Sequence, residues 1–221
     1  MLTRSEEPRL LVVAHGTASA NGSATTARLV EAIRSARPTA PVDLCFLDVV
    51  SPRLPDVLDE RPTVVVPLLL STGYHVQSDI PAAAAPYPRV RVARHLGPHP
   101  LLADALVDRL GPLAPDVSVA LVGAGSSRPE AADEIAEMGR LLAVRLSRQV
   151  PALTLADDVR GALATLPAPV RVATYLLAEG QFVSSLEQAA EELATVAEPI
   201  GVHPALVRLV WQRYDDAAAT T

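Results

Sequence analysis

The chain is written twice. Leu96-Gly97-Pro98-His99-Pro100-Leu101-Leu102 returns as Ile200-Gly201-Val202-His203-Pro204-Ala205-Leu206, Leu69–Val76 returns as Leu176–Val183, and Val13–Thr17 returns as Val122–Ser126. A duplication limits the fold more than any bulk property, because two similar halves must bury the same apolar pattern twice. The 221 residues therefore divide into two similar lobes, each of roughly 110 residues and of ordinary domain size. Glycines survive in both copies (Gly16/Gly125 and Gly73/Gly180), whereas His15 gives way to Ala124 and His75 to Phe182. What both copies keep reports architecture. What one copy alone keeps is a candidate for chemistry.

Apolar runs alternate with helix-like stretches, which is the pattern of an α/β fold. In the first copy, strands are expected at Leu10–Ala14, Val42–Val49, Thr63–Leu70 and Val90–His95. Helices are expected at Ser23–Arg37, Pro52–Glu60, Gln77–Ala85 and Leu101–Leu110. The second copy repeats the order, with strands at Val117–Gly123, Ala152–Leu155 and Val170–Leu177 and helices at Pro129–Leu146, Asp157–Leu166, Val183–Val196 and His203–Asp216. The expected architecture is two lobes, each a four-stranded parallel sheet flanked by helices, with a cleft between them. Thr63–Leu70 is the most apolar run and suits a central strand buried on both faces, although Pro67 within it lacks a ladder donor. Gly111-Pro112-Leu113-Ala114-Pro115 marks the boundary. The N-terminal lobe, 1–112, carries the two histidines, and the C-terminal lobe, 113–221, lacks them. Ala217–Thr221 is expected to fray.

Several function classes fall away. Aromatic residues are 3 % of the chain and the formal charge is −6, so neither base stacking nor phosphate neutralisation is available and no nucleic-acid partner is expected. Cys45 is the single cysteine, which excludes an intramolecular disulfide and a cysteine-based zinc site; it reads as a small core residue. Met1–Pro8 has no apolar segment of a secretory signal, and no apolar run reaches the roughly 18 residues that span a bilayer. A cytoplasmic protein with no membrane partner is expected.

The histidines can be placed by topology. Right-handed crossovers in the order 2-1-3-4 set the first and third strands side by side, about 4.8 Å apart. Ligands bind outside the carboxyl ends of such strands. His15 follows the first strand and His75 lies shortly beyond the third, so both converge there. Paired imidazoles suit a divalent iron, cobalt, nickel or zinc ion, and two ligands leave coordination positions open. Asp48, at the end of the second strand, is a candidate third donor.

Other features have plainer readings. His99 and His203 persist in both copies and each precedes a proline, so they read as helix starts. His95, opposite Pro199, reads as structural in preference to lining the cleft. Gly123–Ser127 ahead of Pro129 reads as a strand-to-helix turn in preference to an anion cradle, with Thr17 and Ser126 as equivalent caps. Trp211 reads as packing, and Glu187, Glu191 and Glu192 as a solvated face.

The motifs reach a known family. Val13-Ala14-His15-Gly16-Thr17 resembles the His-Gly-Ser opening of the class II chelatases. Val66–Pro81 resembles their second signature, a Pro-Leu run leading to Gly-x-His and an Asp, and Leu96–Pro100 resembles the close of the module. Together with the duplication, the whole chain resembles the double-module sirohydrochlorin chelatases (CbiX/SirB). The resemblance implies a lyase that inserts Co2+ or Fe2+, with Ni2+ a further candidate, into sirohydrochlorin for cobalamin or siroheme biosynthesis. The metal is then a substrate, no organic cofactor is implied, and a monomer or homodimer suffices. The resemblance also implies that His15 and His75 are the catalytic, metal-binding residues. Asp48 stands where the family has an assisting acid, with Asp in place of Glu. Thr17-Ala18-Ser19-Ala20-Asn21 departs from the Ser-Arg-Asp-Pro-like continuation of the family.

Metallation removes two pyrrole protons, and imidazole titrates in the right range to accept them. His15 is assigned as proton acceptor and metal ligand, with His75 as the second ligand. Sirohydrochlorin carries many carboxylates while this chain is acidic, so Arg53, Arg89, Arg91 and Arg94 are candidates for local positive potential. The alternative is a non-catalytic Co/Ni/Fe carrier or sensor. Both readings use His15 and His75, but only the chelatase requires a cleft for a flat macrocycle.

Overall fold

The computed structural model describes residues 7–126 and 128–219. In the first half β1 (Arg9–Ala14), β2 (Val42–Phe46), β3 (Thr63–Pro67) and β4 (Val90–Val92) form a parallel sheet in the order β2-β1-β3-β4. In the second half β5 (Ser118–Gly123), β6 (Ala152–Thr154), β7 (Val170–Tyr175) and β8 (Thr195–Val196) repeat it as β6-β5-β7-β8. The helices are α1 (Ala20–Ala36), α2 (Leu54–Val57), α3 (Ile80–Ala84), α4 (Pro100–Leu110), α5 (Pro129–Leu146), α6 (Val159–Ala164), α7 (Gln181–Ala190) and α8 (Pro204–Ala219). A five-residue π-helical turn, His75–Asp79, runs directly into α3.

Strand periodicity sorts the apolar side chains into three layers. Leu10, Val12 and Ala14 of β1 and Val64 and Val66 of β3 face a central core, which also takes Val119 and Leu121 of β5 and Tyr175 of β7. Leu11, Val13 and Val65 face an outer core with Cys45, Leu54 and Ile80. Ala120, Val122 and Val172 face a second outer core with Val159, Leu163 and Leu186. The two sheets thus enclose one shared core.

The closing helices are exchanged between the halves. Helix α4 ends the first copy but packs on α5 and β7 of the second. Helix α8 ends the second copy but packs on β3, β4 and α1 of the first, as well as on α4. Polar anchors follow the same exchange: Trp211 Nε1 donates to Ile33 O at 3.1 Å, and Arg171 Nη1 donates to Leu110 O at 2.6 Å.

Several expected boundaries move for identifiable reasons. Helix α1 starts at Ala20, not Ser23, because Ser19 is the N-cap and its hydroxyl accepts from Gly22 N–H at 3.2 Å. Strand β2 stops at Phe46, short of Val49, because the chain makes a γ-turn there: Val49 has φ 65° and Val50 N–H donates to Asp48 O at 2.7 Å. Pro67 ends β3 where β4, paired only as far as Val65, no longer needs a donor. The helix expected at Val183–Val196 begins at Gln181, stops at Ala190, and is followed by strand β8. Ala217–Ala219 continue α8, with Arg91 Nη1 donating to Ala218 O at 2.6 Å; Thr220 and Thr221 lie outside the described residues, as do Met1–Glu6 and Ser127.

Candidate active site

His15 leaves the end of β1 into the gap between the two halves and is exposed. Gly16 makes this possible. Its φ is +95°, and a Cβ there would lie 2.1 Å from Asp48 O; only glycine accepts both the left-handed backbone and the contact. Gly125, its counterpart, has φ +81°, so this turn is architecture common to both copies. His75 opens the π-helical turn and is half-buried. π-Turns inside helical segments recur at functional sites.

The structure brings the two imidazoles together. Their centroids are 4.9 Å apart with the planes at 79°. His15 Nδ1 is 3.1 Å from Gly16 O, and a carbonyl only accepts, so Nδ1 carries the proton and Nε2 presents a lone pair. His75 Nδ1 is 2.6 Å from Asp79 Oδ2, which likewise leaves its Nε2 free. A carboxylate behind the far nitrogen of an imidazole fixes its tautomer and raises its basicity as a ligand. Asp79 was visible in the sequence only as part of the second signature; its spacing four residues after His75 on one helical face was the signal for its orienting position.

Asp48 sits beside this pair, with one of its two oxygens engaged. Its Oδ1 accepts from Val49 N–H at 2.8 Å and pairs with Arg53 Nη2 at 3.1 Å. The Val49 N–H foremost, and then Arg53, His15 and His75, hold its carboxyl below the usual range. Among the described residues no three His, Cys, Asp or Glu side chains gather as a metal-ligand set.

The remaining sequence candidates separate cleanly. His99 and His203 are helix caps, accepting at Nδ1 from Leu101 N–H at 3.2 Å and Ala205 N–H at 3.1 Å. His95 does not line the cleft; it is buried against Thr72 and Glu134. Thr17 and Ser126 are not N-caps: Thr17 Oγ1 accepts from Ser19 N–H, and Ser126 Oγ from Arg128 N–H. Of the four candidate arginines only Arg53 stands at the histidine pair. Arg91 holds the end of α8, Arg89 lines a depression with Pro8 and Pro62, and the charge of Arg94 acts on His95 and His99.

A cavity of about 360 Å3 opens at His15. One wall is Gly16, Thr17, Thr25, Leu29, Val49 and Leu68 from the first half; the other is Leu176–Phe182, the loop that copies the His75 segment. Phe182, which replaces the second histidine, therefore faces the first. Val49 and Phe182 of this cavity are exposed at 54 and 57 %, and Tyr74, whose ring centroid is 6.2 Å from that of His75, at 57 %; exposed apolar side chains at a cleft mark a ligand surface. A more open depression of about 1030 Å3 lies at the start of β5 around Arg140 and Arg148, with no histidine in it.

A model of the CbiX family matches residues 9–113 and matches again at 118–217. The chain belongs to the CbiX family. The two matches fall on the two copies of the repeat. A sirohydrochlorin ferrochelatase of Priestia megaterium is 26 % identical over 91 % of this chain and 87 % of its own length. SirB from Bacillus subtilis with Fe3+ superposes with a TM-score of 0.80 at 22 % identity, covering 97 % of this chain and 96 % of that one. The sirohydrochlorin chelatase SirB from Bacillus subtilis subspecies spizizenii in complex with cobalt gives 0.78 at 23 % identity, with 96 % of each chain covered. At such identities the solved structures share the fold, two lobes of parallel sheet.

Proposed function

We propose that this CbiX-family chain is a sirohydrochlorin chelatase, a lyase that inserts Co2+ or Fe2+ into the macrocycle. The observation that carries the reading is the edge-on His15–His75 pair, 4.9 Å between centroids, at the mouth of an interlobe cavity. The relatives named for sirohydrochlorin chelation support it.

The flat macrocycle lies between the lobes, against the apolar faces of Val49, Tyr74 and Phe182. The metal arrives as substrate on the Nε2 atoms of His15 and His75. Two protein ligands leave most of its coordination sphere to the incoming pyrrole nitrogens, so the ion can leave. Each metal inserted displaces two N–H protons. As the ion passes to the pyrrole nitrogens it frees Nε2 of His15, the more exposed ring, which then accepts these protons one at a time and returns them to solvent. Asp48, whose Oδ1 holds Val49 N–H and Arg53, adds a donor through its other oxygen, Oδ2. Arg53 on one side, and Arg28 in the depression that adjoins the cavity at Thr25 and Glu179, meet the carboxylates of the substrate. Imidazole pairs do not select one divalent metal by affinity alone, so the same site serves siroheme or cobalamin synthesis according to the metal delivered.

The test is anaerobic metallation of sirohydrochlorin, followed by absorbance, with His15→Ala and His75→Ala made separately. Both variants are expected to lose most of the rate, on the order of a hundredfold or more for loss of a general base. Turnover near that of the parent chain in both variants overturns the assignment.

A further inference from the structure

The second half has no counterpart of His15 or His75 but reaches across to hold the loop that presents His75. Between β3 and the π-helical turn this loop runs from Leu68 to Tyr74. Two of its tethers are local: Leu68 N–H donates to Val13 O at 2.8 Å, and Leu96 N–H donates to Leu69 O at 2.9 Å. The next tethers come from the other half. Tyr175 O–H donates to Leu70 O at 2.8 Å. The Glu134 carboxylate, on α5, accepts Thr72 N–H at 2.5 Å and Thr72 Oγ1–H at 3.0 Å. The close approach depends on Gly97, where a Cβ would lie 1.9 Å from Tyr175 Oη and 2.3 Å from Leu70 O.

His95 completes the group. Its Nε2 is 3.2 Å from Thr72 Oγ1 and 3.2 Å from Glu134 Oε1. The threonine proton is already given to the carboxylate, so Nε2–H is the donor. Its Nδ1 is buried without a partner, and a neutral ring leaves only a lone pair there. The Glu134 side chain is 18 % exposed, so its charge is matched by donors from Thr72 and His95 more than by water.

The repeat shows that this clasp is one-sided. The buried positions of α1 and α5 align as Gly22/Ala131, Leu29/Met138 and Ile33/Leu142, which places Thr25 opposite Glu134. Thr72 is matched by Glu179, His95 by Pro199 and Tyr175 by Leu68. None of the four polar partners is repeated at the loop that carries Phe182. There Thr25 Oγ1 accepts from Arg28, and Gly201 N–H, not a side chain, reaches Leu177 O. The polar clasp is kept only where a histidine is kept.

We propose that Glu134 is a positioning residue for His75: anchored in the second half, its carboxylate clamps Thr72 and so sets where the imidazole three residues later meets His15. This rests on the reading of His15 and His75 as the metal pair. Partners that orient a metal ligand from behind typically change affinity or activity by about 10- to 100-fold when removed.

The test is Co2+ titration of the full chain, with steady-state metallation alongside. Glu134→Gln puts an amide where Thr72 needs an acceptor, and Thr72→Val removes the hydroxyl while keeping shape. Both are expected to weaken Co2+ binding about tenfold or more and to raise the KM for metal without raising that for the tetrapyrrole. Thr72→Ser, which restores the hydroxyl, is expected to bind as the parent does. Leu163→Ala, which opens a remote outer core, is expected to melt earlier yet bind Co2+ normally. Parent-like Co2+ affinity in both Glu134→Gln and Thr72→Val, or equal weakening in Leu163→Ala, overturns the proposal. His75→Ala separates the two levels: if it loses Co2+ while Glu134→Gln does not, the clasp alone fails; if His75→Ala itself binds Co2+ normally, the metal-pair reading fails with it.

Discussion

Each imidazole of the pair is held through Nδ1, by the Gly16 carbonyl or by the Asp79 carboxylate, and that contact decides which nitrogen is offered to a metal. For His75 the partner is charged and the contact is short at 2.6 Å. Replacing it by the neutral isostere, Asp79→Asn, should therefore lower Co2+ affinity by about tenfold or more while the fold is retained; titration with Co2+ beside a circular dichroism spectrum checks both halves of that statement. Gly16 makes the opposite case, a residue whose importance is steric. Gly16→Ala meets Asp48 O at 2.1 Å on a backbone at φ +95°, and should destabilise the chain by roughly 2 kcal/mol or more, read as a lowered denaturation midpoint. Cys45 reports on the core around it. Burial pushes its thiol up to about 12, so at mildly alkaline pH it should react with a thiol reagent only when the chain unfolds.

At the scale of elements, helix starts couple the fold to pH. The His99 ring caps α4 by accepting at Nδ1 from Leu101 N–H, which it can do only unprotonated. Burial foremost, with Arg213 and Arg94, lowers its pKa, and burial lowers that of His95. A lowered folded-state pKa gives stability that is complete above the unfolded value of about 6.5 and is lost as pH falls toward the folded value. Melting temperature should therefore drop on acidification below about pH 6.5, and more gently in His99→Asn, which keeps a cap acceptor without a titrating ring. An equal slope in the two chains contradicts this. The elements best read from sequence were those with a local signature. Pro129 at the first turn and the apolar stripe of α5 returned that helix residue for residue. Strand β8 was lost inside a helix because two residues, Thr195 and Val196, carry no period of their own. The γ-turn at Val49 was equally hidden, since a β-branched residue at positive φ runs against local preference.

For the whole molecule, the repeat announced two sheets and their strand order, but not that the closing helices change places. Leu102 and Leu106 of α4, or Leu206 and Leu209 of α8, present the same apolar stripe whichever sheet they cover. A chain with a shared core and exchanged helices should unfold in one cooperative transition. Calorimetry or denaturant titration should show coincident loss of helix signal and Trp211 fluorescence; two separated transitions would contradict the shared core. The same limit explains the site. His15 and His75 were legible because one copy serves as a control for the other and because topology places the ends of β1 and β3 together. The clasp on Thr72 was not, because Glu134 and Tyr175 reach Thr72, His95 and Leu70 only across the interface between halves.

The central claim is that this pair hands a metal to a tetrapyrrole. It is tested most directly by anaerobic incubation of the full chain with sirohydrochlorin and, in parallel, Co2+ or Fe2+, read by absorbance against the double variant His15→Ala/His75→Ala. The account predicts the spectrum of a metallated macrocycle with the parent chain at a rate well above the metal alone, and no such acceleration with the double variant. Tight Co2+ or Fe2+ binding by the parent chain without any change in the macrocycle spectrum would contradict it, and would mark the site as one that holds a metal without passing it on.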